Sequence, residues 1–209
     1  MTEHVRFHFD PVCPWAWLTS RWLEEVRTVR DVDVDWALFS LAEVNRGIDD
    51  EAMAKGHAMS LDALRTLVLV RREHGNAAVG RLYRELGEAR HDRSQDLGDH
   101  DVLRAALRGA GLEEALVDKA VADPTTEAEL LAEHAAVVTD FQAFGVPTLV
   151  LDGGAGPAMF GPIVQTVPRG EEAGQVWDHA VWLTRQPYFY ELKRERIARP
   201  DTGRYRDSD

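Results

Sequence analysis

A single cysteine, Cys13, stands in the 209 residues, so no intramolecular disulfide can form and the disulfide framework of small secreted domains is excluded. Positive charge is also in short supply. The formal net charge is −12, which argues against general binding to nucleic acid or to an anionic membrane surface, both of which need clustered Lys and Arg. No window reaches the roughly eighteen continuous apolar residues of a membrane span. The opening "MTEHVRFHFD" lacks a basic segment followed by an apolar stretch, and the expected location is therefore the cytoplasm. A Gly-x-Gly-x-x-Gly after a strand, a P-loop and a Gly-x-Ser-x-Gly are all missing, which removes the usual signatures of dinucleotide binding, nucleotide hydrolysis and serine esterase chemistry. No metal or nucleotide cofactor is expected. Internal repeats and low-complexity tracts are absent as well.

What is present reads as a folded chain. Hydrophobic residues at 44% and charged residues at 29% are ordinary for a globular protein, and the length suits one large domain or a small fold carrying an insertion. In "HVRFHFD", Val5, Phe7 and Phe9 alternate with Arg6 and His8, which predicts a strand. Trp15, Leu18, Trp22, Val26 and Val29 then recur at steps of three and four and predict a helix. A second strand follows in "VDVDWALFS". From about Asn45 to Phe144 the signals are helical: one helix ends at Gly75, one begins behind Asp99 as N-cap, and one opens at Pro124 and stops at Gly145. Strand signals return in "VPTLVLD" and "AMF" around the turn "GGAGP", and a last helix covers about Glu171 to Arg185 before a polar, basic tail. The order is βαβ, helices, ββα.

The chemistry concentrates at "DPVCPWAW". Pro14 lacks an N–H and has a fixed φ, which suits the first position of a helix and puts Cys13 where unpaired backbone N–H groups point. Such a position can bring a thiol from about 8.5 into a range of roughly 3.5 to 7.5, so a reactive thiolate is expected; a buried cysteine packing as a small hydrophobe is the plain alternative. Asp10 is expected to hold the turn through side-chain to backbone hydrogen bonds, with proton transfer as its second reading. Trp15 would give the sulfur an apolar platform, although tryptophans are more often core. Asn45 precedes a helical signal, where an asparagine is usually a cap. The acidic and histidine-rich run "HDRSQDLGDHD", with His91, Asp92, Asp96, Asp99, His100 and Asp101, fits no zinc or calcium spacing and is expected to be a solvated loop.

The motifs "FDPVCPWAW", "FGVPTLVL" and "FGPIVQTVPRGEEAGQVWD" give the sequence a resemblance to the DsbA family, an α/β thioredoxin fold with an all-helical insertion. With "TSRWLEEV", "SLAEVN" and "FYELKRER" it resembles most the mycothiol-dependent nitroreductase branch, over about residues 5 to 196. The resemblance implies a thioredoxin-like domain from 1–44 and 145–209, with 45–144 as a helical insertion subdomain that forms a lid. It implies a cis Val146–Pro147 bond facing Cys13, so that Val146, Pro147 and Thr148, with Pro14, Trp15, Asn45 and Asp10, line a thiol and substrate site around the catalytic Cys13. It also implies mycothiol as co-substrate and a small electrophilic partner substrate; a homodimer stays open.

One residue departs from the pattern. Better-known members of that branch read Cys-Pro-Trp-Cys, and here Ala16 replaces the second cysteine. A mixed disulfide on Cys13 can then be released only by an outside thiol, which makes the expected mechanism monothiol. A kappa-class glutathione transferase or chromene-carboxylate isomerase, in which the cofactor's thiol is the nucleophile, is the alternative enzyme. A binding module with a vestigial Cys13 is the alternative outside catalysis.

Overall fold

The computed structural model describes residues 2–47 and 49–202. Met1, Ile48 and residues 203–209, which fall within the expected segments 1–44, 45–144 and 145–209, lie outside the described residues. The chain starts with β1 (Glu3–Phe9), α1 (Pro14–Val29) and β2 (Val32–Leu38). A helical stretch follows: α2 (Leu41–Val44), α3 (Glu51–Ala58), α4 (Leu61–His74), α5 (Asn76–Gly87) continued by a π-helical turn at Glu88–Asp92, then α6 (His100–Gly109), α7 (Leu116–Ala122) and α8 (Pro124–Phe141). The chain returns as β3 (Thr148–Val150), β4 (Ala158–Phe160) and α9 (Gly170–Thr184). This is the βαβ, helices, ββα order of a DsbA-like thioredoxin fold.

The four strands form a sheet in the order β2-β1-β3-β4. β1 and β2 are parallel, as a helical crossover demands, and Phe7 lies beside Trp36 in their register. β3 runs antiparallel to both β1 and β4, with Thr148 opposite His8 on one side and Phe160 on the other. Val5, Phe7 and Phe9 of β1 are fully covered, and His8 between them is buried as well, so the alternation holds in side-chain direction but burial extends to both faces at the end of the strand. Arg6 instead reaches Asp35 at 2.8 Å on the neighbouring strand. The β3–β4 turn needs left-handed backbone, and glycines supply most of it, with φ of +65° at Gly153 and +96° at Gly154.

Aromatic packing joins the helical stretch to the sheet. Tyr83 of α5 stacks on Phe9 with ring centroids 3.7 Å apart, and Trp17 of α1 meets Tyr83 edge-on at 6.1 Å. α5 comes this close because Gly87 has no side chain: a Cβ there would lie 2.2 Å from the Trp17 ring. On the other flank Trp22 packs against Trp177 of α9 and donates its indole N–H to the Ala173 carbonyl at 3.1 Å. Arg30 ties the same helices together through Glu171 and Asp178.

Local signals set most helix starts. Asp99 accepts from the Asp101 N–H at 2.9 Å, Asp123 accepts from the Thr125 N–H at 2.9 Å, and Pro124 occupies the first turn of α8. The expected stop at Gly145 is corrected. α8 ends at Phe141 because Gln142 adopts a left-handed conformation, φ 54°, and residues 142–147 then carry the chain across to β3.

Candidate active site around Cys13

Cys13 is the N-cap of α1. Its N–H donates to the Asp10 carbonyl at 3.0 Å, its own carbonyl receives the Trp17 N–H at 3.0 Å, and Pro14 opens the helix. Its sulfur accepts the Ala16 N–H at 3.5 Å, and no acidic residue sits in the first turn to neutralise the positive end of the helix. Across a gap, the thiol donates to the Val146 carbonyl at 3.5 Å, and the Val146–Pro147 bond is cis. Two segments 133 residues apart in sequence thus meet at one sulfur.

The expectation of a thiolate at neutral pH is corrected by burial. Cys13 is only 6% exposed, and loss of solvation pushes its thiol up to about 11. The N–H groups of Ala16 and Trp15 and the charge of Arg196 pull the other way, while the Asp10 carboxylate adds to the rise. Desolvation wins because a buried sulfur anion loses more hydration than two backbone donors return. The resting side chain is a protonated thiol, its anion disfavoured by burial and only partly compensated by the Ala16 and Trp15 N–H groups and Arg196.

Asp10 fixes the loop that presents this sulfur. Its carboxylate accepts from the N–H of Val12 at 3.1 Å and of Leu41 at 2.8 Å, and from the Ser60 hydroxyl at 3.2 Å. Those donors come from the cysteine loop, from α2 and from the residue before α4. Burial nevertheless raises the carboxyl from its ordinary 3.8 to about 6, with the three donors only partly offsetting it. The native state therefore holds this proton at pH values where the unfolded chain has released it, so the contribution is present below the ordinary value and is lost as pH rises through 6. The stability of the wild type relative to Asp10→Asn should accordingly fall by about 2–3 kcal/mol between pH 4 and pH 7, measured by urea unfolding at each pH. A pH-independent difference would refute the assignment.

The other expected residues are placed as follows. Trp15 is half-buried on the core beside Cys13, and the Arg196 guanidinium carbon stands 5.1 Å from the centre of its ring. Thr148 spends its hydroxyl on the Gly145 carbonyl at 2.7 Å and is buried, so it holds the approach to β3. Asn45 follows α2 as its C-cap: its amide donates to the Leu41 carbonyl at 2.9 Å and lies 3.4 Å from His57 of α3.

Sequence reasoning missed several neighbours. Ser60 and Tyr83 come from the helical stretch with no local motif to mark them. Arg21 is 2% exposed with its guanidinium 4.4 Å above the Trp17 ring, a burial that its position three residues after Leu18 of the apolar repeat could have suggested. The run 91–101, expected to be a solvated loop, is corrected at both ends: His91 and Asp92 belong to the π-helical turn, and His100 and Asp101 to α6. His91 donates from Nε2 to the Pro11 carbonyl at 2.9 Å and stacks on Trp17 at 5.9 Å, and burial lowers its pKa to about 4. No group of three or more potential metal ligands occurs among the described residues. No helix among them is long and apolar enough to cross a membrane.

Comparison with known proteins places this geometry in context. Residues 12–194 match the family described as Rv2466c-like, mycothiol-dependent nitroreductase Rv2466c. The uncharacterized protein Rv2286c of Mycobacterium tuberculosis is 34% identical over 198 residues, covering 92% of this chain and 82% of its own. Solved structures share the fold, two of them as follows. The cytosolic disulfide reductase DsbM of Pseudomonas aeruginosa, solved with GSH, superposes with a TM-score of 0.58 at 14% identity, over 86% of this chain and 100% of that one. The oxidoreductase DsbA of Xylella fastidiosa superposes with a TM-score of 0.55 at 16% identity, over 87% and 85%.

Proposed function

Because the chain belongs to the Rv2466c-like mycothiol-dependent nitroreductase family and is a thiol-dependent oxidoreductase, we propose that it acts on small disulfide or electrophilic substrates with mycothiol as co-substrate and Cys13 as its one protein thiol. The observation that carries this reading is the sulfur itself: Cys13 caps α1 and faces the Val146 carbonyl, and the residue one turn on is Ala16. In the proposed cycle the Cys13 thiolate attacks one sulfur of a disulfide, forms a new S–S bond and expels the other sulfur as a thiolate that takes up a proton. A mycothiol thiolate then attacks the outer sulfur of the mixed disulfide and returns Cys13 as a thiolate. With no second cysteine, the release step depends on an outside thiol.

In this reading 1–44 and 145–209 carry the thiol and residues 45–144 form the insertion that covers it, working in the reducing cytoplasm. Support comes from Asp10, whose carboxylate is gripped from both sides of that division. The test is intact mass after incubation with mycothiol disulfide. One adduct should appear, map to Cys13 and be removed by added mycothiol; a chain that stays unmodified at pH 9 would reject the proposal.

One observation favours the transferase or isomerase reading. The Cys13 thiol is held protonated, so its single S–H can turn from the Val146 carbonyl to a bound cofactor thiolate. The substitutions at Cys13 discussed below separate the two.

A further inference from the structure

Beyond α9 the chain turns back toward the site. Residues 186–202 are largely exposed, with Tyr190 at 93%, yet two contacts fix their course. The Asp201 N–H donates to the Gln165 carbonyl at 3.0 Å, in the loop after β4, and the Arg196 guanidinium lies over the Trp15 ring. The segment carries Lys193, Arg194, Arg196 and Arg199 against Glu191, Glu195 and Asp201, a slight local excess of positive charge in a chain of net charge −12.

We infer that Arg196 is a positioning residue of the Cys13 site, a cation delivered by the C-terminal segment and parked on Trp15 to stabilise the sulfur anion whenever the bond to Cys13 is broken. The cation–π contact is what makes this work, because a flexible exposed arginine has no reason to stay near one sulfur unless an aromatic face holds it there. Of the ionisable groups acting on Cys13, the Asp10 carboxylate at the end of β1 opposes the anion and Arg196 favours it. Tyr83 of α5, which also feels Cys13, is kept as a neutral phenol by burial. On its other side the cysteine loop meets His91, which bonds to the Pro11 carbonyl and is kept neutral by burial. The inference rests on Cys13 being the reacting thiol. When an incoming thiolate attacks the outer sulfur of a Cys13 mixed disulfide, one S–S bond forms, one breaks, and the electron pair of the broken bond stays on Cys13; a nearby cation makes that sulfur a better leaving group.

The full-length wild type, Arg196→Gln and Arg196→Lys are compared by the rate at which iodoacetamide, an uncharged probe, alkylates Cys13 from pH 7 to pH 10. The chain has one cysteine, so intact mass reads that site alone. Arg196→Gln should react about 2- to 3-fold more slowly at every pH below the thiol's midpoint, the effect of losing one exposed, partly screened opposite charge near a titrating group, with an unchanged urea-unfolding midpoint. Arg196→Lys should recover most of the rate. Equal rates in all three proteins would overturn the inference. Faster alkylation in Arg196→Gln would also overturn it, since Arg196 would then be a cover, and so would a lysine variant as slow as the glutamine one. Alkylation requires neither mycothiol nor turnover, so failure of the proposed co-substrate would show in the adduct experiment and leave this one to be read separately.

Discussion

Cys13→Ala and Cys13→Ser should both lose thiol-dependent turnover, by at least about a hundred-fold, because neither side chain can form and release an S–S bond. The two substitutions are paired for a structural reason. The Cys13 thiol donates to the Val146 carbonyl, and a serine hydroxyl can take over that hydrogen bond whereas alanine cannot. If the protein sulfur is the nucleophile, serine is as inactive as alanine. If a cofactor thiolate is the nucleophile and Cys13 only hydrogen-bonds to it, serine retains most of the activity and alanine alone is impaired. Steady-state rates with varied mycothiol decide between them, and an active serine variant would replace the proposed mechanism by the transferase-like one.

Ala16→Cys should convert the monothiol site into a dithiol one. Residues three apart at the start of a helix have Cβ atoms about 5–6 Å apart before adjustment, and the Cys13 sulfur already sits 3.5 Å from the Ala16 nitrogen, so a bond can close with a small rotation of side chains. Ala16 is fully buried, and the added sulfur should cost roughly 1 kcal/mol or somewhat more in overpacking. Under mild oxidation the variant should lose two hydrogens in intact mass and become resistant to iodoacetamide. Its mixed disulfide should be resolved from within, at the high effective concentration of an intramolecular thiol, so the dependence of turnover on mycothiol should drop by one order. A variant that stays fully reduced, or that keeps the wild-type thiol order, would show that Ala16 does not stand where a resolving thiol acts.

The strands and helices next to the site were legible in the sequence for local reasons. The alternation of Val5, Phe7 and Phe9 makes one face of β1 apolar, Pro14 can only open a helix, and Asp99 and Asp123 cap the helices that follow them. The boundary at the end of α8 was not legible, because Gly145 is the better stop by propensity and Gln142 is held left-handed by the course the chain must take to β3.

By itself the sequence determined that one thiol is available, that it lies at the start of the first helix, and that no partner sulfur follows it one turn later. Those are properties of residues adjacent in the chain. Only the tertiary structure decided what kind of thiol it is. Burial in the hydrophobic core sets the cost of its charge, the Val146 carbonyl holds its proton, Asp10 fixes its loop against Leu41 and Ser60, and Arg196 arrives from the far end of the chain. The charge state of a sulfur depends on solvation and on groups brought within a few ångströms by folding, and segments more than a hundred residues apart leave no mark of that proximity in their local pattern.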